Sequence, residues 1–540
     1  MQIKNKLIST TIFFLLLTIY FTGCFDNINV FGTSYSEKES KILEYEGFPI
    51  IYLDFESNGK IYIKSYDSDS NLIDSEFFYG NDIARINIGS FKETLSDEKI
   101  TIKIMDKSNS EISKKIINLK GPNVDIISST EYVWSNQGKT SLIEINAYVY
   151  NIGDVPVFPD KIKIKYNDQV YSSFLIPTKI NPDSYEEISS MIYIEDIEKN
   201  DNFIIEIYDT NNNLLVEKNF IFDNLIEVDT AIYRKGVDNT LEVPVPSNLW
   251  NYYLDHERYY IEDYTAFIFD KYDDSYMDLF LDLLIENLDF SNLFNLYSDE
   301  EKINEIGDFI QQLNYSIDYE EDLETEYPRF PVETLFNENC NGGGDCEDKA
   351  ILGASLLIDD DLSYNVSLIR IPNHMVVGVN LPRDAISKYD YYVDEYYFLD
   401  TSPGPEDKSN LGYVHKDYQN QNDIRIFALN SKPIIDHYWE NGSLTIYTEN
   451  NRNKILKINC YISNLGDKKA ENLKLKGVFY TNLNLQVDEE IIEIEDIEPY
   501  DKIKKTFSFQ VPKDIECIFD TRVYLNDVKV HEQSTNGTIS

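Results

Sequence analysis

The chain has 540 residues, of which 42% are hydrophobic and 14% aromatic, including 41 Tyr and 29 Phe. It is too long for one ordinary core and too rich in apolar side chains for wholesale disorder, so three or four domains are expected. Asp and Glu number 95 against 48 Lys and Arg, a formal net charge of −47, and a surface so negative repels phosphate backbones and argues against nucleic acid as a partner.

The first 24 residues read as a targeting segment. Lys4 and Lys6 precede a mostly apolar run from Leu7 to Phe21, shorter than the roughly 20 residues that cross a bilayer comfortably. The run ends in Phe21-Thr22-Gly23-Cys24, which resembles a lipobox, with Phe21 where Leu is usual. That resemblance implies lipidation at Cys24. The competing reading is an uncleaved anchor helix with Cys24 incidental. Both predict an exported chain held on the outer face of the cytoplasmic membrane, and residues 25–45, polar and mixed, read as a tether.

Residues 46–120 carry alternating apolar runs (Ile50–Leu53, Ile61–Ile63, Ile86–Ile88, Ile100–Ile104) separated by Asp, Asn, Ser and Gly clusters, which predicts a small antiparallel β domain. A second β unit is expected over 121–223, and its sequence recurs over 433–540. Ile145-Asn146-Ala147-Tyr148-Val149-Tyr150-Asn151-Ile152-Gly153-Asp154 parallels Ile458-Asn459-Cys460-Tyr461-Ile462-Ser463-Asn464-Leu465-Gly466-Asp467. Each copy runs from a strand into an Asn-x-Gly-Asp turn, where Gly tolerates positive φ. The pattern resembles the cell-adhesion-related β-sandwich modules of prokaryotic surface proteins; a generic immunoglobulin-like spacer is the preferred reading of it. Cys460 and Cys517 are spaced for an inter-sheet disulfide or for two buried free thiols. Paired C-x-x-C spacing is absent from the sequence, so no structural metal is expected.

The texture changes over 224–432. Apolar residues fall at helical spacing from Asn248 to about Leu313, and Ser298 with Glu301 has the spacing of a capping box. The two prolines of Tyr327-Pro328-Arg329-Phe330-Pro331 predict an irregular segment. A glycine-rich turn, Asn341-Gly342-Gly343-Gly344-Asp345, then delivers Cys346 to the start of an apolar helix. Partial positive charge at a helix N-terminus lowers a thiol pKa from about 8.5 to roughly 3.5–7.5, so a thiolate nucleophile is expected. His374 opens the strand Met375-Val376-Val377-Gly378-Val379, and a neighbouring strand, Tyr396-Tyr397-Phe398-Leu399-Asp400-Thr401, brings Asp400 beside it. An imidazole there serves as general base, and a carboxylate behind it fixes its tautomer. Glu347 and Asp348 are assigned to the helix N-terminus rather than to chemistry. Cys340 is either inert or an oxidative partner of Cys346.

These three motifs (Gly-Asp-Cys-Glu-Asp-Lys-Ala, Pro-Asn-His-Met-Val-Val-Gly-Val and Tyr-Phe-Leu-Asp-Thr), in that order, resemble the transglutaminase-like core over roughly residues 245–425. The lead-in Phe309–Leu313, Tyr315 and Tyr327–Pro331 resembles that of prokaryotic members. The resemblance implies an α+β papain-like core flanked by all-β immunoglobulin-like sandwiches. It implies amide chemistry through a thioester on Cys346, with His374 and Asp400 as the other catalytic residues and no cofactor. By analogy with papain-like enzymes, Gln311 or Gln312 is the oxyanion donor beside the Cys346 N–H.

The expected function is therefore a surface thiol enzyme acting on a protein or peptide substrate, hydrolytic (protease or amidase) rather than an amine-transferring cross-linker. The alternative is a non-catalytic adhesion or scaffold protein, an extended stalk using the same fold for binding. Asp359-Asp360-Asp361 either binds calcium or is a solvated turn; no twelve-residue EF-hand loop is present.

Overall fold

The computed structural model describes residues 33–539 apart from 236–238, 257, 260, 288–296, 318–326, 337–341, 360–361, 384, 387–390, 404–408, 414, 416–417, 419–420, 422, 442, 449–453, 482, 514 and 536. Strand accounts for 52% of the chain and helix for 13%. The molecule is a β-rich multidomain protein, which corrects the expected α+β papain-like core. The cause lies in the composition: β-branched and aromatic residues broken by Asn, Asp and Gly favour antiparallel ladders. Ahead of the segment expected to be α-rich, the 224–432 unit opens with a hairpin, Thr230–Lys235 against Asn239–Pro244.

The first unit packs a three-stranded sheet on a four-stranded one around Phe55, Ile61, Ile63, Ile86 and Ile102. Residues 35–45, expected as tether, form an eleven-residue strand, Tyr35–Tyr45, paired with Phe48–Ser57. As an edge strand it carries three Glu and two Lys, of which Lys38 and Glu39 are exposed and Glu44 is buried, and these charges broke the apolar alternation and hid it in the sequence.

The repeated units are alike to the level of single hydrogen bonds. Strand Lys139–Asn151 ends in Asn151, whose side chain donates to Val155 O (2.7 Å) and Ile180 O (3.1 Å) and accepts from Gly153 N (2.9 Å). Strand Lys454–Asn464 ends in Asn464, which donates to Lys468 O (2.8 Å) and Ile497 O (3.2 Å) and accepts from Gly466 N (3.2 Å). Both asparagines are buried, and each amide spares backbone groups an unpaired burial. The turn glycines are not in the positive-φ region, contrary to expectation. A Cβ on Gly153 would stand 2.8 Å from Gly121 O and one on Gly466 2.1 Å from Lys432 O, so the turn demands space, not left-handed backbone. Cys460 and Cys517 share the last core as buried free thiols, and the disulfide considered above is not formed.

Between the copies lie five α-helices among the described residues: α1 (Ser247–Asp255), α2 (Asp274–Asn287), α3 (Asp299–Gln312), α4 (Pro331–Leu335) and α5 (Cys346–Ile358). Ser298 and Glu301 do cap α3 reciprocally. Pro331 starts α4 instead of terminating a helix, because proline at the first helical position costs no hydrogen bond. A five-stranded antiparallel sheet completes the segment, in the order Tyr392–Val393, Tyr396–Leu399, His374–Val379, Val366–Ile371, Arg425–Ala428. Helix α5 lies against it: a Cβ on Gly353 would stand 3.2 Å from Val377, Thr401 and Ile310 side chains alike.

The first and last units also touch. Glu76, 3% exposed, pairs with Lys457 and Lys504, more than 380 positions away in sequence, and Tyr461 packs with Phe48 and Ile50. The β units therefore fold back on one another rather than string out as the stalk described above. No helix among the described residues is long and apolar enough to cross a membrane.

Candidate active site

The glycine-rich turn has a steric logic. Gly342 and Gly343 take φ of 65° and 144°, where a side chain is strained. A Cβ on Gly343 would meet Asn314 O at 2.6 Å, and one on Gly344 would meet Asp348 Oδ2 at 2.4 Å. Asp348 is fully buried; it accepts from Asp345 N (3.2 Å) and Arg329 N (2.8 Å) and pairs with the Arg329 guanidinium at 3.0 Å. This fixes the first turn of α5, the role assigned to it.

Cys346 is the first residue of α5 and is partly exposed. Its thiol donates to Glu347 Oε2 at 3.2 Å and lies against the backbone N–H of Met375, at the start of the His374 strand. Burial first, then the Glu347 and Asp345 carboxylates, push the thiol well above its ordinary pKa; the Met375 N–H opposes them. The expected thiolate is thereby corrected. The helix dipole is worth about 0.3–1 kcal/mol in ordinary settings, and it is outweighed here by desolvation and two facing anions.

His374 and Asp400 are brought together. Strands Tyr396–Leu399 and His374–Val379 pair antiparallel with Val377 opposite Leu399, which sets the end of one beside the beginning of the other. His374 Nε2 lies 3.2 Å from Asp400 Oδ1, both residues being buried, in a contact of ion-pair length set off the line of an ideal hydrogen bond. Asp400 Oδ1 also accepts from Ser402 N (3.1 Å) and Ser402 Oγ (2.7 Å). Burial works against the Asp400 carboxylate, but the facing His374 ring and the bonds from Ser402 together hold it below the usual range. The contact occupies Nε2 and leaves Nδ1 as the nitrogen for a reacting thiol. The thiol donates to Glu347 instead of meeting the imidazole.

The two oxyanion candidates differ: Gln311 is committed elsewhere, and Gln312 makes one bond within its own helix. Gln311 is fully buried; its Nε2 donates to Asp400 O and Ser409 O, both at 2.8 Å, and its Oε1 accepts from Ser409 N at 3.2 Å. Gln312 Nε2 donates to Asp308 O in its own helix. Gln311 is a positioning residue for the Asp400 strand end.

Four neighbours escaped the sequence reading. Tyr418 stacks on the His374 ring, centroids 4.3 Å apart and 13° from parallel. Lys349, fully buried, donates to Leu313 O at 2.7 Å, and burial lowers its pKa to about 8 against the opposing Asp400 charge. The Tyr315 phenol feels Cys346, Asp345 and Glu347. Glu347 itself was given to the helix end, yet it takes the thiol's hydrogen bond. Tyr315, Lys349 and Glu347 all stood in motifs the sequence offered, without a role in the chemistry; Tyr418 carried no signal. Cys24, Cys340 and the Asp360-Asp361 part of the calcium candidate lie outside the described residues.

No family model matches the chain, and no curated protein matches it in sequence. Among solved structures, red sea bream transglutaminase is similar at 9% identity over 73% of this chain and 80% of its own, with a TM-score of 0.20. The exo-chitosanase CsxA of Amycolatopsis orientalis aligns at 7% identity over 90% and 76%, TM-score 0.13, and the YadV chaperone at 10% over 35% and 99%, TM-score 0.12. Overlaps this small do not establish a shared fold, and the likeness to the transglutaminase is a weak one.

Proposed function

We propose that this chain is a transglutaminase-like thiol enzyme that cleaves amide bonds through a thioester on Cys346, exported and held at the membrane by a lipid on Cys24. The observation that carries the reading is the His374–Asp400 contact of 3.2 Å at the strand ends beside the nucleophile helix. In the reaction the Cys346 thiol passes its proton to His374 Nδ1 and the sulfur attacks the carbonyl carbon. The C–N bond breaks as the imidazolium protonates the leaving amine. Water then adds to the thioester, giving up a proton to His374, and the thiol is re-formed as the carboxylic acid leaves. Asp400 stabilises the transient imidazolium. A rotation about the Cys346 side chain carries the sulfur from Glu347 toward the imidazole, a tightening common when substrate replaces solvent. Hydrolysis is favoured over amine transfer because water needs no second site.

One feature favours the non-catalytic binding protein: burial, with Glu347 and Asp345 adding to it, pushes the thiol pKa up. The two readings separate in one experiment. A surface extract is treated with an acyl-trapping activity probe, and the labelled residue is mapped by mass spectrometry. Label on Cys346 that is lost in Cys346→Ala and greatly reduced in His374→Ala is expected. Absence of label on the folded parent chain leaves only the binding protein.

A further inference from the structure

The first turn of α5 gathers three ligand-bearing side chains. Donor atoms of Asp345, Cys346 and Glu347, one from each, lie within 4.8 Å of one another. Asp345 is 8% exposed and Glu347 5% exposed, so this is not the solvated acidic cluster that protein surfaces commonly carry. The Sγ to Glu347 Oε2 separation is 3.2 Å. Around a tetrahedral zinc-class ion, with metal–sulfur and metal–oxygen bonds of about 2.3 and 2.0–2.2 Å, sulfur and oxygen ligands stand roughly 3.5 Å apart. The third ligand needs an approach of about 1 Å from the 4.8 Å bound, within reach of a side-chain rotation.

A second observation is independent of that proximity. Asp345 Oδ1 is buried and accepts no hydrogen bond, although buried carboxylate oxygens are costly to leave unsatisfied. The Asp345 backbone is committed, its N–H donating to Asp348 Oδ2 and its carbonyl accepting from Lys349 N. The side-chain oxygen is left with no task in the helix cap. A soft or borderline divalent cation accounts for both facts. It satisfies the orphan oxygen and gives the three gathered donor atoms a common partner.

We infer that Asp345, Cys346 and Glu347 form a binding site for a thiophilic divalent cation of the zinc class, and that a bound cation takes the Cys346 sulfur out of reaction. The step balances as one metal ion bound, one sulfur–metal bond formed and one proton released from the thiol, with water in the fourth position. Binding needs only the three side chains. The inhibitory consequence rests on the proposed thiol chemistry.

The test uses the full chain in detergent with Cd²⁺ alone as probe. Expected are a thiolate-to-cadmium charge-transfer band in the ultraviolet at one equivalent, one proton released, and protection of Cys346 from iodoacetamide. Cys346→Ser abolishes the band. Asp345→Asn keeps a good helix N-cap while weakening a ligand, and Glu347→Gln does the same beside the sulfur. Each should loosen Cd²⁺ by roughly tenfold to a hundredfold, the scale seen when groups around a metal are altered. A band that persists in Cys346→Ser puts the metal on another thiol and overturns the site. Wild-type affinity in both carboxylate variants does so equally. A chain that binds Cd²⁺ in this pattern but is never labelled by the acyl probe keeps the metal site and loses the enzyme; one that is labelled but binds no Cd²⁺ does the reverse.

Discussion

Replacing Gln311 by Leu separates positioning from catalysis. The Gln311 amide makes three hydrogen bonds in a fully buried setting, two to the carbonyls of Asp400 and Ser409 and one from the Ser409 N–H. A net intramolecular hydrogen bond contributes about 1 kcal/mol, and a buried group left without a partner costs about 1–3 kcal/mol. Leu is close in volume, so cavity terms are small and the loss should be about 3 kcal/mol or somewhat more, local to the sheet that carries Asp400 and His374. Hydrogen exchange read by mass spectrometry suits a chain whose domains need not unfold together. Peptides spanning 396–403 and 409–413 should exchange faster in the variant, while those of the last sandwich should not change. Acyl labelling should fall in step with that loosening. An oxyanion donor behaves differently: its removal costs about a hundredfold to a thousandfold in rate and leaves the fold untouched. Unaltered exchange with abolished labelling would therefore refute the positioning argument and restore Gln311 to the oxyanion hole.

Glu347→Gln removes the nearer carboxylate from the thiol but not the burial that is the larger cause of its raised pKa. Iodoacetamide should then alkylate Cys346 roughly tenfold faster at neutral pH, the effect of about one pKa unit, and an unchanged rate would mean burial acts alone. Glu144, buried where the second sandwich meets α1, accepts from the N–H groups of Leu249 (3.1 Å) and Asn248 (3.3 Å), yet burial raises its pKa from 4.5 to about 7. The folded state then holds a proton the unfolded chain has released. Stability falls as pH rises from 4.5 to about 7, by up to about 3 kcal/mol, and denaturant titrations of Glu144→Gln should lack that decline. Gly466→Ala and Gly153→Ala each drive a Cβ into a backbone carbonyl, at 2.1 and 2.8 Å. Thermal unfolding should show losses of about 1–3 kcal/mol, larger at Gly466.

The repeated unit was legible because its signal is local. An alternating strand that stops at Asn-x-Gly-Asp needs few residues to declare itself, and Asn151 and Asn464 make matching bonds in their two settings. The reason for the glycines was not legible, since a turn that requires left-handed backbone and one that lacks room for a Cβ look identical in a string. Strand Tyr35–Tyr45 was hidden for a different reason. Edge strands shed the apolar alternation that identifies central ones, and its partner Phe48–Ser57 supplies the buried face. The α+β core followed from a resemblance carried by three short motifs, which say little about the strand content around them, and the molecule is β-rich. Helical periodicity runs over 248–313. That stretch yields three separate helices, α1 to α3.

At the site, sequence order places residues but cannot sum their fields. Cys346, His374 and Asp400 could be singled out because a helix start and two strand ends carry them, and register does the rest: with Val377 opposite Leu399, Asp400 has to fall near the beginning of the His374 strand. The charge on the sulfur follows another rule. A helix N-terminus acts as a partial positive charge that weakens within a turn, whereas Glu347 is a full negative charge 3.2 Å from the sulfur. Burial comes first and the carboxylate adds to it, so both work against the thiolate that the helix end favours. A substrate carbonyl that draws the sulfur toward His374 and a thiophilic cation that draws it toward Asp345 and Glu347 are the two displacements this geometry permits, and they compete for one atom. Raising the concentration of either should therefore lower the apparent affinity for the other.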